Sequence, residues 1–150
     1  MSIELRELYQ EVILDHNRHP RNRGKLEEAT GYAEGHNPLC GDNIQVYLHT
    51  NGGLVEAVSF EGSGCAISTA SASMMTEAVK GKTLEQVEAM FKEFQSMVTE
   101  AGHAEEHPEL GDLEVLGGVR EYPVRIKCAT LPWHTLKAAL VGEADKVSTE

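Results

Sequence analysis

The stretch "NIQVYLHTNGGLVEAVSFEG", residues 43–62, decides the fold because it reads as two strands joined by a tight turn. Ile44, Val46 and Leu48 alternate with polar or amphipathic residues, as a strand with one buried face requires. The dipeptide Asn51-Gly52 accepts positive φ and therefore predicts a tight hairpin turn. The second strand should run antiparallel to the first, so the chain returns to the end where the first strand begins.

The segments on either side of this hairpin predict helices and one further strand. Apolar residues within positions 5–13 recur at helical spacing, which predicts an N-terminal helix ending near Pro20. Residues 25–35 are predicted to contain a short edge strand. After the hairpin comes a helix of small residues, with Ser63 as its expected N-cap and Gly81 at its end.

The C-terminal half of the chain predicts two more helices separated by an acidic segment. Thr83 and Gln86 form a capping box for the first of these helices. The apolar residues expected on its buried face are Leu84, Val87, Met90, Phe91, Phe94 and Met97. The segment at about 94–119 has no Lys or Arg and is expected to be an exposed acidic insertion. Pro132 is predicted in the first turn of the terminal helix.

These elements predict an α+β fold, a small antiparallel sheet of about three strands with helices packed on one face. The 150 residues are expected to form a single domain. Formal net charge is -11, which disfavours nucleic acid and anionic membrane surfaces as partners. No apolar run is long enough for a bilayer, and the N-terminal stretch lacks the pattern of a signal peptide. We therefore expect a cytoplasmic protein.

Three cysteines and one aspartate are the candidate functional residues. Cys40 and Asp42 precede the first hairpin strand, Cys65 follows the hairpin, and Cys128 is expected just before the last helix. The hairpin should bring Cys40 and Cys65 to the same end of the sheet, so the three thiols and the carboxylate can converge. Thiolates suit zinc, copper(I) or iron–sulfur units. Without a close C-x-x-C pair, spacing alone does not choose among these metals or exclude cysteines that are simply buried.

Three motifs give the sequence a family resemblance. "PLCGD", "GSGCAISTASASMM" and "RIKCATLPW" occur in order and resemble the cysteine motifs of U-type iron–sulfur cluster assembly proteins, the IscU/SufU/NifU N-terminal family. The chain is most similar to the SufU branch, because Lys127 stands where the IscU branch has a histidine. "EYPVRIKC" also lacks the proline-rich chaperone motif of that branch, and the segment at about 94–119 matches an insertion typical of SufU-like members.

The resemblance implies a zinc-dependent sulfur acceptor that works with a SufS-type cysteine desulfurase. It implies Zn²⁺ bound by Cys40, Asp42, Cys65 and Cys128. We expect Cys40 to be the sulfur acceptor, because it lies in a glycine-flanked loop and can move away from the metal, and we expect Arg125 to support the charged state. The product would pass to downstream Suf cluster-assembly proteins or apo acceptor proteins. The alternative is a scaffold that assembles a transient [2Fe–2S] cluster on the same cysteine and aspartate ligands. A third interpretation is a purely structural zinc site.

Overall fold

The computed structural model describes residues 3–38, 41–99, 113, 116, 123–141 and 147–148. The helices within these ranges are α1 (Ile3–Arg18), α2 (Ala66–Val79), α3 (Leu84–Thr99) and α4 (Pro123–Val141). The strands are β1 (Gly31–Asn37), β2 (Asp42–Asn51), β3 (Leu54–Ser63) and β4 (Val147–Ser148). Among the described helices, none combines the length and apolar character needed to cross a bilayer.

The sheet has the strand order β3-β2-β1-β4. β1 pairs antiparallel with β2, and β2 pairs antiparallel with β3, which confirms the predicted α+β class with three antiparallel strands. β4 adds a short parallel pair to β1, with Gly35 opposite Val147. Thus β1 is not the edge strand that was expected, because β4 lies outside it. The two residues of β4 are too few to show a strand pattern in the sequence.

The hairpin forms as predicted, with its turn shifted by one residue. Asn51 pairs with Leu54, so Gly52 and Gly53 are the central turn residues, at φ 60° and 80°. Positive φ at both positions matches the twist of the two strands, and glycine adopts it without a Cβ clash. A register irregularity between His49 and Thr50 precedes the turn. Such an irregularity cannot be read from alternation alone, which accounts for the shift.

Helices cover one face of the sheet and enclose the core. α4 packs on β1 and β2, and α2 packs on β3 and α4. The buried strand residues beneath them include Ala33, Ile44, Val46, Leu48, Val58 and Phe60. Trp133 of α4 is fully buried and stacks on Phe94 of α3, with ring centroids 5.1 Å apart. Gly31 lies against Ala139 and Gly35 against Leu131, so α4 runs along β1 with its N-terminal half toward the start of β2.

The predicted capping box of α3 is confirmed. The backbone N–H of Thr83 donates to Gln86 Oε1 at 3.0 Å, and the N–H of Gln86 donates to Thr83 Oγ1 at 3.1 Å. The predicted apolar face is buried except for Leu84, which is 39% exposed. Leu84 is the first helical residue, and its N–H donates to the Gly53 carbonyl, so it lies beside the hairpin turn rather than under the helix.

The acidic segment at about 94–119 differs from a wholly exposed loop where the structure describes it. α3 continues through its first residues to Thr99. Leu113 and Leu116 are buried and belong to the hydrophobic core. Their apolar side chains remove area from water, so the segment contributes to packing as well as to charge. The remaining positions of the segment lie outside the described residues.

Candidate metal centre

Asp42 is a fully buried carboxylate at the first position of β2. Its partner on β1 is Asn37, the last residue of that strand. Asp42 Oδ1 accepts a hydrogen bond from the backbone N–H of Cys65 at 2.7 Å, and Oδ2 lies 3.9 Å from Cys65 Sγ. Burying a carboxylate is costly unless it is hydrogen-bonded, paired or bound to a metal. These contacts therefore mark Asp42 as a functional candidate rather than a packing residue.

Two glycines allow the chain to pass this carboxylate closely. A Cβ on Gly64 would lie 2.6 Å from Asp42 Oδ1. Gly62 has φ 127°, and a Cβ there would lie 2.1 Å from the Asn43 carbonyl oxygen. Only glycine combines that backbone conformation with that approach. The glycines of the "GSG" sequence thus place the start of α2 directly against Asp42.

Cys65 is the N-cap of α2, and its Sγ accepts a hydrogen bond from the backbone N–H of Ser68 at 3.4 Å. The prediction that Ser63 caps this helix was wrong, because Ser63 is the last residue of β3 and pairs with Asn43. A sulfur at the cap position faces the unsatisfied N–H groups of the first helical turn. Cys65 is therefore fixed by the helix start, and its side chain is only partly buried.

Cys128 lies inside α4 rather than before it. Pro123 occupies the first helical position, where a missing N–H costs nothing, and Pro132 lies within the helix. The prediction of Pro132 in the first turn was therefore wrong by more than two turns. Cys128 is fully buried, and the side-chain amide of Asn37 donates a hydrogen bond to its sulfur at 3.7 Å.

The structure brings three of the four predicted ligands together. One ligand atom from each of Asp42, Cys65 and Cys128 lies within 4.8 Å of the other two. Around tetrahedral zinc, with bonds of about 2.0–2.3 Å, neighbouring ligand atoms are roughly 3.5–3.8 Å apart. The 3.9 Å between Asp42 Oδ2 and Cys65 Sγ is close to that value. The donor set and its spacing fit a thiolate-binding metal ion after small side-chain adjustments.

Two other predicted residues are less constrained. Cys40 lies outside the described residues, two positions before Asp42 in the sequence. Arg125 is exposed on α4, three residues before Cys128, and Lys127 is partly buried. Residues three apart are neighbours on a helix surface, so Arg125 lies on the side of α4 that carries Cys128. Its supporting role at the site stays a prediction.

Two residues near the candidate ligands, Asn37 and His36, belong to no motif that identifies them from the sequence. His36 Nδ1 lies 3.1 Å from the Asp42 carbonyl oxygen, so its ring N–H donates to the first residue of β2. Asn37 is fully buried and contacts the sulfur of Cys128. Both residues are aligned by the pairing of β1 with β2. That register depends on the long-range pairing of the strands, which local patterns in the sequence do not specify.

His134 and Trp133, the two aromatic side chains that follow in α4, belong to the packing of the helix layer. Trp133 is fully buried in the core and stacks on Phe94. His134 lies edge-on to Phe91, with centroids 5.2 Å apart, and burial lowers the pKa of its imidazole, with a further contribution from the Lys137 charge. His134 is not part of the candidate ligand group of Asp42, Cys65 and Cys128 among the described residues.

The fold and the clustered side chains define a small α+β protein with thiols and a carboxylate gathered at one end of its sheet. The chain belongs to the NifU-like N-terminal domain family, whose model matches residues 8–140. All three cysteines and Asp42 lie within the matched range.

Curated relatives and a solved structure agree with this assignment. The chain is 45% identical to a Bacillus subtilis protein named "Zinc-dependent sulfurtransferase SufU", over 91% of each chain. It is 41% identical to a Streptococcus pyogenes protein named "Iron-sulfur cluster assembly scaffold protein IscU", over 95% of this chain and 88% of that one. A crystal structure of an N-terminal NifU-like protein from Brucella abortus superposes with a TM-score of 0.82, at 28% identity, covering 91% of this chain and 94% of that one.

Proposed function

We propose that this protein is a zinc-dependent sulfur acceptor in iron–sulfur cluster assembly. In this proposal it takes sulfur from the persulfide of a SufS-type cysteine desulfurase in the cytoplasm. It then passes the sulfur to downstream Suf cluster-assembly or apo acceptor proteins. The buried Asp42 carboxylate, in contact with Cys65 and close to Cys128, is the observation that carries the proposal. The similarity to a protein named as a zinc-dependent sulfurtransferase supports the choice of chemistry.

The proposed ligands are Cys40, Asp42, Cys65 and Cys128. Bound zinc would keep the cysteine sulfurs deprotonated, and therefore nucleophilic, at neutral pH. Three thiolates and a carboxylate around a divalent cation give the site a formal excess of negative charge. In this proposal Arg125, three residues before Cys128 on α4, offsets part of it. The carboxylate is a harder donor than a thiolate, so Asp42 should keep the site exchangeable.

The surroundings of the other two sulfurs favour Cys40 as the acceptor. Cys128 is fully buried, so a persulfide on another protein has no direct access to it. Cys65 caps α2, and losing a cap interaction costs about 1 kcal/mol of helix stability. Cys40 precedes Gly41, whose φ of 72° suits a turn, and belongs to the sequence motif PLCGD.

The transfer step is thiol–persulfide exchange. The Cys40 thiolate attacks the outer sulfur of the desulfurase persulfide, a new sulfur–sulfur bond forms, and the original one breaks. The desulfurase cysteine leaves as a thiolate, and Cys40 carries the transferred sulfur as its own persulfide. During this exchange Cys65 and Cys128 keep their hydrogen bonds from Ser68 and Asn37. No external oxidant or reductant is required.

A second candidate function uses the same residues. A scaffold would assemble a transient [2Fe–2S] cluster on Cys40, Cys65 and Cys128, with Asp42 as the exchangeable ligand. Its support is the similarity to proteins named as iron–sulfur cluster assembly scaffolds. The presence of lysine at position 127 favours the sulfur-acceptor function over this one, because a histidine there would add a further ligand.

The deciding experiment is sulfur transfer from a SufS-type desulfurase and free cysteine to the zinc-loaded protein. Peptide mass spectrometry should find the added sulfur on Cys40, and Cys40→Ala should abolish uptake while retaining part of the zinc. Full uptake by Cys40→Ala would refute the assignment of the acceptor. A visible cluster spectrum in anaerobically purified protein, with no sulfur uptake by the zinc form, would favour the scaffold function.

A further inference from the structure

Asn37 is a buried polar side chain that contacts the site but belongs to none of the proposed ligands. It ends β1, is fully buried, and lies opposite Asp42 in the β1–β2 pair. Its Nδ2 donates a hydrogen bond to Cys128 Sγ at 3.7 Å, across 91 positions of sequence. The amide therefore connects the end of the sheet to the sulfur carried by α4.

The two described sulfurs receive hydrogen bonds of different origin. Cys65 Sγ accepts from the backbone N–H of Ser68, which belongs to the same helix start. Cys128 Sγ accepts from a side chain on another element. A backbone donor is present whenever α2 forms, whereas the Asn37 donor requires β1 and α4 to be docked. At least one hydrogen bond to the Cys128 sulfur thus comes from a replaceable side chain.

We infer that Asn37 is a positioning residue that orients the Cys128 thiolate as a permanent ligand of the metal. The inference rests on the metal centre of the proposed function. An N–H donor withdraws charge from a thiolate and holds it in one rotamer, so the sulfur points at the ion when another ligand leaves. Removing a residue that hydrogen-bonds to a metal ligand typically weakens metal affinity by about 10–100-fold.

The test replaces Asn37 with leucine, which has a similar volume and no donor. Each protein is loaded with Co²⁺, which gives thiolate-to-cobalt absorption, and Zn²⁺ affinity is measured by competition with a chelator. We expect Asn37→Leu to bind Zn²⁺ about 10-fold or more weakly. The charge-transfer band should move to lower energy, because a thiolate without its hydrogen bond gives up electrons more readily.

Ser71→Ala is the matched control. Ser71 is fully buried on α2, and its hydroxyl donates to the Ala129 carbonyl on α4 at 2.6 Å. The variant removes a buried hydrogen bond one residue beyond Cys128 but leaves the Asn37–sulfur bond in place. We expect lower thermal stability, with an unchanged band and unchanged Zn²⁺ affinity. If Ser71→Ala shifts the charge-transfer band by the same amount, the shift in Asn37→Leu reflects a general change in packing, and the inference is overturned.

A measurement on the unmodified chain covers the case in which Asn37→Leu fails to fold. With ¹¹³Cd bound, a hydrogen bond to a ligating sulfur transmits a scalar coupling between the metal and the donated proton. We expect such a coupling at the Asn37 side-chain amide, with the Ser68 backbone amide as the reference. Coupling at Ser68 without coupling at Asn37 overturns the inference about Asn37 and leaves the proposed metal centre unaffected. Wild-type protein that shows no thiolate bands with Co²⁺ overturns the metal centre as well.

Discussion

Gly64→Ala should disturb the candidate metal centre by displacing Asp42. The added Cβ would lie 2.6 Å from Asp42 Oδ1 and 3.2 Å from its Cγ, whereas ordinary contact begins at 3.4 Å. Asp42 is short and fully buried, so its carboxylate cannot rotate into solvent to avoid the methyl group. The 2.7 Å hydrogen bond from the Cys65 N–H to Oδ1 is therefore expected to lengthen or break.

Two effects set the expected magnitude. Overpacking a well-packed site costs about 1–3 kcal/mol. Weakening a hydrogen bond to a charged group adds about 1.5–3 kcal/mol when the bond is lost completely. We expect the metal-free protein to lose about 3 kcal/mol of unfolding free energy, within these ranges. Displacing the ligand itself should also weaken zinc binding by at least the roughly 10–100-fold typical of its supporting residues.

Urea unfolding with and without zinc measures both effects, because the stabilisation of the folded state by zinc rises with the logarithm of its affinity. Gly31→Ala is the matched control, since its Cβ would lie 2.5 Å from the Ala139 carbonyl oxygen. Gly31 begins β1, at the opposite end of the strand from Asn37. It should destabilise the protein comparably while leaving zinc affinity unchanged. Wild-type zinc affinity in a folded Gly64→Ala protein would refute the role assigned to Asp42.

Two further predictions concern Asp42 and His134. Asp42→Ala should bind zinc more weakly and transfer sulfur more slowly, because one of the four proposed donors is lost; wild-type zinc affinity in competition with a chelator would contradict this. The pKa of His134 is lowered by burial and then by Lys137, so the unfolded chain takes up a proton first as pH falls below the ordinary value of 6.5. Unfolding free energy should therefore decrease from about pH 7 to pH 5, and less steeply in His134→Gln. Equal slopes in urea titrations of the two proteins would rule out this contribution.

The elements that could be predicted from the sequence are those determined by neighbouring residues. Alternation in Ile44, Val46 and Leu48 and the glycines of the turn fix the hairpin locally. Thr83 and Gln86 satisfy each other's backbone N–H groups, so the start of α3 is also a local property. The candidate ligands were identified in a different way. Local patterns did not reveal them; the resemblance of three motifs to a known family did, because the corresponding residues of that family form one site.

The errors occurred where distant parts of the chain decide the local structure. Ser63 has the chemistry of an N-cap, but its pairing with Asn43 extends β3 and moves the cap to Cys65. Pro132 has the chemistry of a helix start, but Pro123 begins the helix, and burial of the α4 face stabilises it through the proline. Packing can offset the loss of one helical hydrogen bond, which a sequence pattern does not reveal.

The displaced cap bears on which ligand of the proposed metal centre would leave during sulfur transfer. Because Cys65, rather than Ser63, caps α2, one candidate ligand is also part of the helix start. Cys128 is inside α4 and fully buried, so a second candidate ligand is part of the core. Any ligand that leaves the metal during transfer would disturb the fold least if it belonged to neither element. That condition selects Cys40, whose neighbours Pro38 and Gly41 lie between β1 and the start of β2. The difference between Cys65, which caps a helix, and Cys128, which is buried inside one, is thus a consequence of where α2 and α4 begin.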